Sequence, residues 1–200
     1  MKQSRFLLTT LFFLMLFGCA TPGQKFIDIN YLAEHEPSKS GTIGISTFKD
    51  LRKDVDEGYI GYRTLTDNSQ ETYFVNGMNL GQTLSENVSS YCNKKGFTIS
   101  KIEDWQWTTD GVSAAINGFD QIIGGSINKF ECQAKKTGVT TEMTLVIELT
   151  LYTGIADKST LKTIPITFTL KRTEFTFSKE KLEQFVNQSV IEVIQKALVL

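Results

Sequence analysis

The sequence predicts an α+β domain, a mostly antiparallel β-sheet with two amphipathic helices packed on one face, in the order ββαββββα. Three observations carry this. Thr141 to Thr153 alternates, with Met143, Leu145, Ile147, Leu149 and Leu151 on one side and Glu142, Thr144, Glu148 and Thr150 on the other; Val146 is the apolar exception. Such alternation marks a strand with one face in a core and one in water. Leu80, Leu84, Val88 and Tyr91 or Cys92 recur at three- and four-residue spacing, which makes one apolar stripe on a helix. Leu182, Phe185, Val186, Val190, Val193, Ile194, Ala197 and Leu198 make a second. One-sided strands and one-sided helices bury each other as layers.

Taken in order, Phe26 to Leu32 alternates, with Ile27, Ile29 and Tyr31 on one side, and is a first strand. Ala33 to Gly41 is a loop, and Thr42 to Phe48 is a short β-rich strand. Lys49 to Gly77 is long and polar, a loop of the length that carries function in compact domains, with Glu71 to Val75 as one arm of a hairpin within it. Met78 to Lys95 is helical and stops at Gly96. A strand follows to about Ile102, and 103–118 fits neither period. Asp120 to Ala134 is a strand with Phe130, Cys132 and Ala134 on one face. Thr160 to Thr173 pairs back on the strand before it, and Pro165 places it at an edge or a bulge. Ser178 caps the last helix, with Phe177 before it as a staple for Leu182.

Composition bounds the class. Of the 200 residues, 40% are hydrophobic and 22% charged, with three Pro, which is globular rather than disordered. Net charge is −1, so no basic surface for nucleic acid is expected.

The N-terminus reads as an export signal. Lys2 and Arg5 precede an apolar run from Phe6 to Phe17. At about twelve residues the run is roughly 18 Å as a helix, short of the about 20 residues that span a bilayer. Leu16-Phe17-Gly18-Cys19 resembles a bacterial lipobox, with Phe17 where a small residue is usual. The resemblance implies cleavage before Cys19 and acylation of that residue. With Ala20 rather than Asp next in line, it implies export to the outer membrane of a Gram-negative bacterium. The layout is then a lipoprotein signal peptide over 1–18, a lipidated Cys19 with its tether over 19–25, and a single globular domain over 26–200. Cys92 and Cys132 remain, an even pair in an oxidising compartment. Cys92 on a helix and Cys132 on the inner sheet face either form a disulfide or pack as two buried thiols.

The whole layout, with FIDINY, TIGISTFKDLR, Tyr59-Ile60-Gly61, a helix ending in KKGF, and GGSINKF, resembles YajG-like bacterial lipoproteins. A related pattern occurs in auxiliary lipoproteins of envelope ABC transport systems. The resemblance covers most of the chain after the signal and rests chiefly on Phe48, Asp50, Arg52, Ile60-Gly61, Gly96-Phe97, Asp120 and Gly125. It implies a non-enzymatic envelope protein.

The residues themselves carry little catalytic chemistry. His35 is the one histidine, in a loop between Glu34 and Glu36, and HExxH, CxxC, GxSxG and P-loop patterns are missing from the sequence. No cofactor or metal is expected. Asp50, Asp54, Asp56 and Glu57 cluster without EF-hand spacing. Asp50 and Arg52 are placed to form a local ion pair or a partner contact. Trp105 and Trp107 project on one side of an extended segment, either into a core or toward a partner, and Tyr59 and Tyr62 flank Gly61. Asn87 and Asn187 begin glycosylation patterns that fall on helices. The expectation is a membrane-anchored periplasmic protein that binds another envelope component through Asp50, Arg52, Tyr59, Tyr62, Trp105 and Trp107. The alternative is a carrier of a lipid or small apolar ligand.

Overall fold

A computed structural model describes residues 23–77, 79–156 and 160–198. The signal peptide, Cys19 and the start of the tether lie outside them. The strands are β1 (Lys25–Ile27), β2 (Thr42–Ile45), β3 (Lys49–Asp50), β4 (Tyr59–Thr64), β5 (Gln70–Val75), β6 (Thr98–Lys101), β7 (Gln121–Thr137), β8 (Thr140–Ile155) and β9 (Thr160–Glu174). The helices are α1 (Leu80–Lys94), α2 (Thr109–Ala115) and α3 (Lys179–Ala197).

The α+β architecture is the expected one, and its spine is β7. One edge of β7 carries β8 antiparallel, and β8 carries β9 antiparallel. Along the other edge β2, β3 and β4 lie one after another, each parallel to β7, with Ile43 opposite Gln121, Lys49 opposite Ser126 and Gly61 opposite Cys132. β6 extends the sheet beside β2, β5 folds back antiparallel on β4, and β1 runs parallel to β5. The long ladders are antiparallel, and the short ones at β1, β2, β3 and β6 are parallel. The stretch from Lys49 to Gly77, expected as a loop with one hairpin arm, is β3 followed by the β4–β5 hairpin. Its turn is closed by Leu65 N–H donating to the Ser69 carbonyl at 2.9 Å, with Asn68 at φ 65°.

A β-bulge sets which side chains of β7 face inward. The register shifts between Ile127 and Lys129. Ile123 and Ile127 point to the core before it, and Phe130, Cys132 and Ala134 after it. One extra residue, Asn128, switches the parity and keeps both halves apolar on the same face. Met143, Leu145, Ile147, Leu149 and Leu151 of β8 all join that core.

Both long helices cover this one face, as their stripes require. Leu80, Leu84 and Val88 of α1 and Leu182, Phe185, Val186 and Val190 of α3 are buried in the same cluster. Asn79 caps α1 by accepting from Gln82 N–H at 2.8 Å, and Ser178 caps α3 by accepting from Lys181 N–H at 3.3 Å. Phe177 lies against the core, its ring 6.5 Å from Tyr73. The glycosylation-like asparagines are structural. Asn87 Nδ2 donates to the Ile29 carbonyl at 3.0 Å, and Asn30 N–H donates to Asn187 Oδ1 at 2.9 Å, so α1 and α3 each grip the segment after β1.

Two departures follow. The region 103–118 contains α2, a short helix capped by Thr108, which covers the opposite sheet face with a small second core of Trp105, Val112 and Ile122. Adjacent Ile122 and Ile123 therefore point into different cores. Cys92 and Cys132 are both buried and both free, so of the two expectations for them the packed thiols are observed and the disulfide is not. β9 is an edge strand, as Pro165 required; it sits opposite Thr150.

Candidate functional site

Arg52 organises the segment expected to carry function. Its Nε and Nη2 donate to Asp50 Oδ1 and Oδ2 at 2.9 and 2.7 Å, a fork on a carboxylate. Its Nη1 donates to the Tyr59 carbonyl at 2.7 Å and the Phe130 carbonyl at 3.0 Å. The Arg52 side chain is 6% exposed and Asp50 32%. Asp50 and Arg52 thus form a brace tying the 51–58 segment to β4 and β7. Asp50 and Lys49 are themselves held by pairing of β3 with β7.

The brace leaves an apolar strip on the outer sheet face. Phe26 of β1, Phe74 of β5 and Tyr59 of β4 lie side by side, because β1 pairs Phe26 with Phe74 and β4 pairs Tyr59 with Phe74. Ring centroids are 6.3 Å apart for Phe26–Phe74 and 5.8 Å for Tyr59–Phe74. Phe26 is 49% exposed and covers Phe74, which is 9% exposed and belongs to neither core. Beyond Tyr59 the strip opens into a groove of about 230 Å³ lined by Arg52, Lys53, Val55, Tyr59, Lys129 and Glu131, among others. Val55 is 40% exposed and Leu51, in the same segment, 52%. Burial, with the Glu131 carboxylate nearby, pushes the Tyr59 phenol above its ordinary range, so it stays a neutral hydrogen-bonding tip. Tyr62 lies further along β4, half-buried, opposite Thr72 and Gln133.

Sequence reading missed Phe26 and Phe74. The signal was present. Phe26 falls on the side of its strand opposite Ile27, where a polar residue is expected.

The tryptophans are packed rather than offered. Trp105 is 6% exposed. Trp107 stacks on Tyr152 at 4.0 Å with Lys49 Nζ 5.0 Å from its ring. Both indole nitrogens converge on Gly124, where a Cβ would lie 3.2 Å from each. They do project on one side, as expected, but into the second core, and this pair is not part of the strip.

His35 sits against Tyr31 and Tyr91, with Tyr31 Oη 2.6 Å from its Nε2 and Gln195 Nε2 donating to Tyr31 Oη at 3.1 Å. Partial burial and the nearby Lys95 and Lys94 hold its pKa below the ordinary value, against a smaller opposing effect of Glu34. Among the described residues no three His, Cys, Asp or Glu side chains are grouped to hold a metal ion. The apolar cavity between sheet and helices, lined by Phe48, Leu84, Leu149 and Val193 among others, measures about 10 Å³. That is room for about one water, whereas ligand pockets run to roughly 300–1,000 Å³. Among the described residues no helix is long and apolar enough to cross a membrane.

No protein-family model matches the chain, and no curated protein matches it in sequence. Solved structures do match. A Xanthomonas campestris protein of the family DUF330 is 13% identical, with 88% of this chain and 94% of that one covered and a TM-score of 0.48. A neuraminyllactose-binding hemagglutinin homolog from Helicobacter pylori is 8% identical, with 86% and 89% covered and a TM-score of 0.43. A lipoprotein from Neisseria meningitidis is 9% identical, with 76% and 96% covered and a TM-score of 0.36.

Proposed function

We propose that this chain is a non-enzymatic lipoprotein, anchored through acylated Cys19 on the periplasmic face of a Gram-negative outer membrane. Its work is to bind another envelope component at the strip of Phe26, Phe74, Tyr59 and Val55. The observation that carries this is the contrast between the two faces of one sheet. The inner face is covered by α1 and α3, while the β1–β5–β4 part of the outer face carries an aromatic row in which Phe26 is 49% exposed, Tyr59 is half-buried and Phe74 is buried beneath Phe26. Exposed aromatics grouped with long basic side chains are the makings of a binding surface. The brace of Arg52 holds that surface rigid before anything binds, which lowers the ordering cost of association.

The test is photo-crosslinking in intact cells from Tyr59 and Val55, with Val139 and Trp105 as comparison positions. Adducts of defined mass from the first two and not from the others are expected. Adducts equal at all four positions, or confined to Val139, would contradict the assignment.

A further inference from the structure

The component bound at the strip is the bilayer itself. We infer that Phe26, Phe74, Tyr59 and Val55 form a membrane-contact face resting in the headgroup layer of the zwitterionic phospholipid surface that holds the Cys19 lipid. This rests on the reading of Cys19 as the anchor and of the strip as the binding site.

The first argument is reach. The seven residues from Ala20 to Phe26 span at most about 25 Å when fully extended. A domain of this length is about 40 Å across. Whatever path the tether takes, β1 stays within about 25 Å of the bilayer surface, less than the width of the domain, so the β1 edge of the sheet can rest on the membrane. Phe26 is the second residue of β1 and the first ring of the strip.

The second argument is chemistry. Tyrosine, an aromatic ring with a polar tip, settles at the headgroup level of a bilayer, and Tyr59 presents that tip in one row with the apolar rings of Phe26 and Phe74. Lys25, Lys53 and Lys129 are exposed around it, and lysine stems lie along apolar surface while their ammonium groups reach phosphate. Asp54, Asp56 and Glu57 sit in the same loop and are exposed as well. The charges around the strip therefore offset each other, and the contact is apolar rather than electrostatic. High salt will not release it.

The third argument is concentration. A lipid anchor seven residues away holds the strip beside the membrane at an effective concentration in the millimolar range. A contact too weak to hold a free protein on a vesicle is then occupied most of the time.

The other exposed apolar residues give the control. Val139 is 79% exposed and Phe175 83% exposed. Both lie past the far end of β7 and β9, where Thr141 pairs with Glu174. Seven residues of strand from Phe130, level with Tyr59, to Thr137, where the turn carrying Val139 begins, put the two positions about 23 Å or more apart.

The experiment uses the full chain, acylated in cells and reconstituted into phosphatidylcholine vesicles. Val55→Cys and, separately, Val139→Cys are labelled with an environment-sensitive dye; Cys92 and Cys132 are buried and stay unlabelled in the folded protein. Nitroxide on the lipid headgroups is expected to quench the Val55 probe at least three-fold more than the Val139 probe, equally in low and high salt. Phe26→Ser, at a ring that is 49% exposed and outside both cores, is expected to remove most of that difference while vesicle attachment and the circular-dichroism spectrum stay intact. Equal quenching at both positions, or stronger quenching at Val139, overturns the contact. If that happens while Cys19→Ser abolishes vesicle attachment and Tyr59 still crosslinks in cells, the anchor and the site stand and only the bilayer is the wrong occupant. Loss of crosslinking from Tyr59 as well would remove the site.

Discussion

Arg52 donates to both carboxylate oxygens of Asp50, at 2.9 and 2.7 Å, and spends its remaining nitrogen on the backbone of two different strands. The pair is two residues apart in sequence, yet it joins β3, β4 and β7. A short-range ion pair becomes a tertiary brace because the Phe130 carbonyl is 78 residues away from Arg52.

Arg52→Ala removes all of these bonds at once and strands two carbonyls under a loop. Stability is expected to fall by about 2–4 kcal/mol. Arg52→Lys keeps the charge and loses the fork, and is expected to cost about 1–2 kcal/mol. Asp50 is a third exposed, so solvent screens it and Asp50→Asn costs about 1 kcal/mol. Urea denaturation of the three variants checks the order. A loss at Arg52→Ala no larger than at Asp50→Asn would mean the two backbone contacts contribute nothing.

At Gly61 the backbone of β4 lies hard against β7. Its φ is +145°, and a Cβ there would lie 1.8 Å from the Cys132 carbonyl oxygen. Gly61→Ala must push β4 off its parallel register with β7, at about 3 kcal/mol or more. Hydrogen exchange localises the effect: amides of Tyr62 to Thr64 lose protection first. Unchanged protection there would contradict the stated geometry.

How much of this was readable beforehand differs from element to element. The alternation of Met143 to Leu151 and the stripes of Leu80 to Cys92 and Leu182 to Leu198 state their burial outright, and all of them lie in the main core. The strands between Lys49 and Gly77 do not. β3 is only Lys49 and Asp50, both exposed, and exists because β7 offers a free edge. Parallel pairing leaves no local trace in the chain, since partners such as Gly61 and Cys132 have no turn between them. The Asn128 bulge likewise hides the continuity of the inner face of β7, whose apolar positions change parity in mid-strand. Trp105 and Trp107 were legible as a same-side pair but not as core, because the cover supplied by Val112 and Tyr152 comes from a helix of seven residues and a distant strand. Asp50 and Arg52 were legible as an ion pair; their reach to Tyr59 and Phe130 was not.

The two inner cysteines are expected to be inert in the folded protein. Burial pushes both thiols up to about 12, so the nucleophilic thiolate is scarce at neutral pH. A chromogenic disulfide reagent should find neither in the native state. After denaturation it should find the same number with and without prior reduction. A count that rises on reduction would show a bridge between Cys92 and Cys132.

His35 gives stability a pH dependence of known sign. Its folded pKa is held below the unfolded value of about 6.5, first by burial and then by Lys95 and Lys94, with Glu34 opposing. Between the two pKa values the unfolded chain binds more proton than the folded one, so stability rises with pH across that window. On acidification it declines from just above 6.5 down to the folded value and then levels off. Protonation also places a donor on Nε2 where Tyr31 Oη now sits 2.6 Å away. Glu34, drawn down by its hydrogen bond to Lys94, contributes in a separate window below the ordinary carboxylate range. His35→Gln is expected to flatten the slope near pH 6 and leave the acidic one. Denaturation midpoints taken from about pH 3 to about pH 7.5 decide this, and identical slopes near pH 6 in the two proteins would contradict it.

Everything assigned to the strip presumes that the chain is held to a membrane by its Cys19 lipid. Cells fed labelled fatty acid test that directly. The wild-type chain is expected to carry label and to float with membranes, and Cys19→Ser is expected to carry none and to leave the membrane fraction. Label that never enters the wild type, or that enters Cys19→Ser equally, would contradict the account.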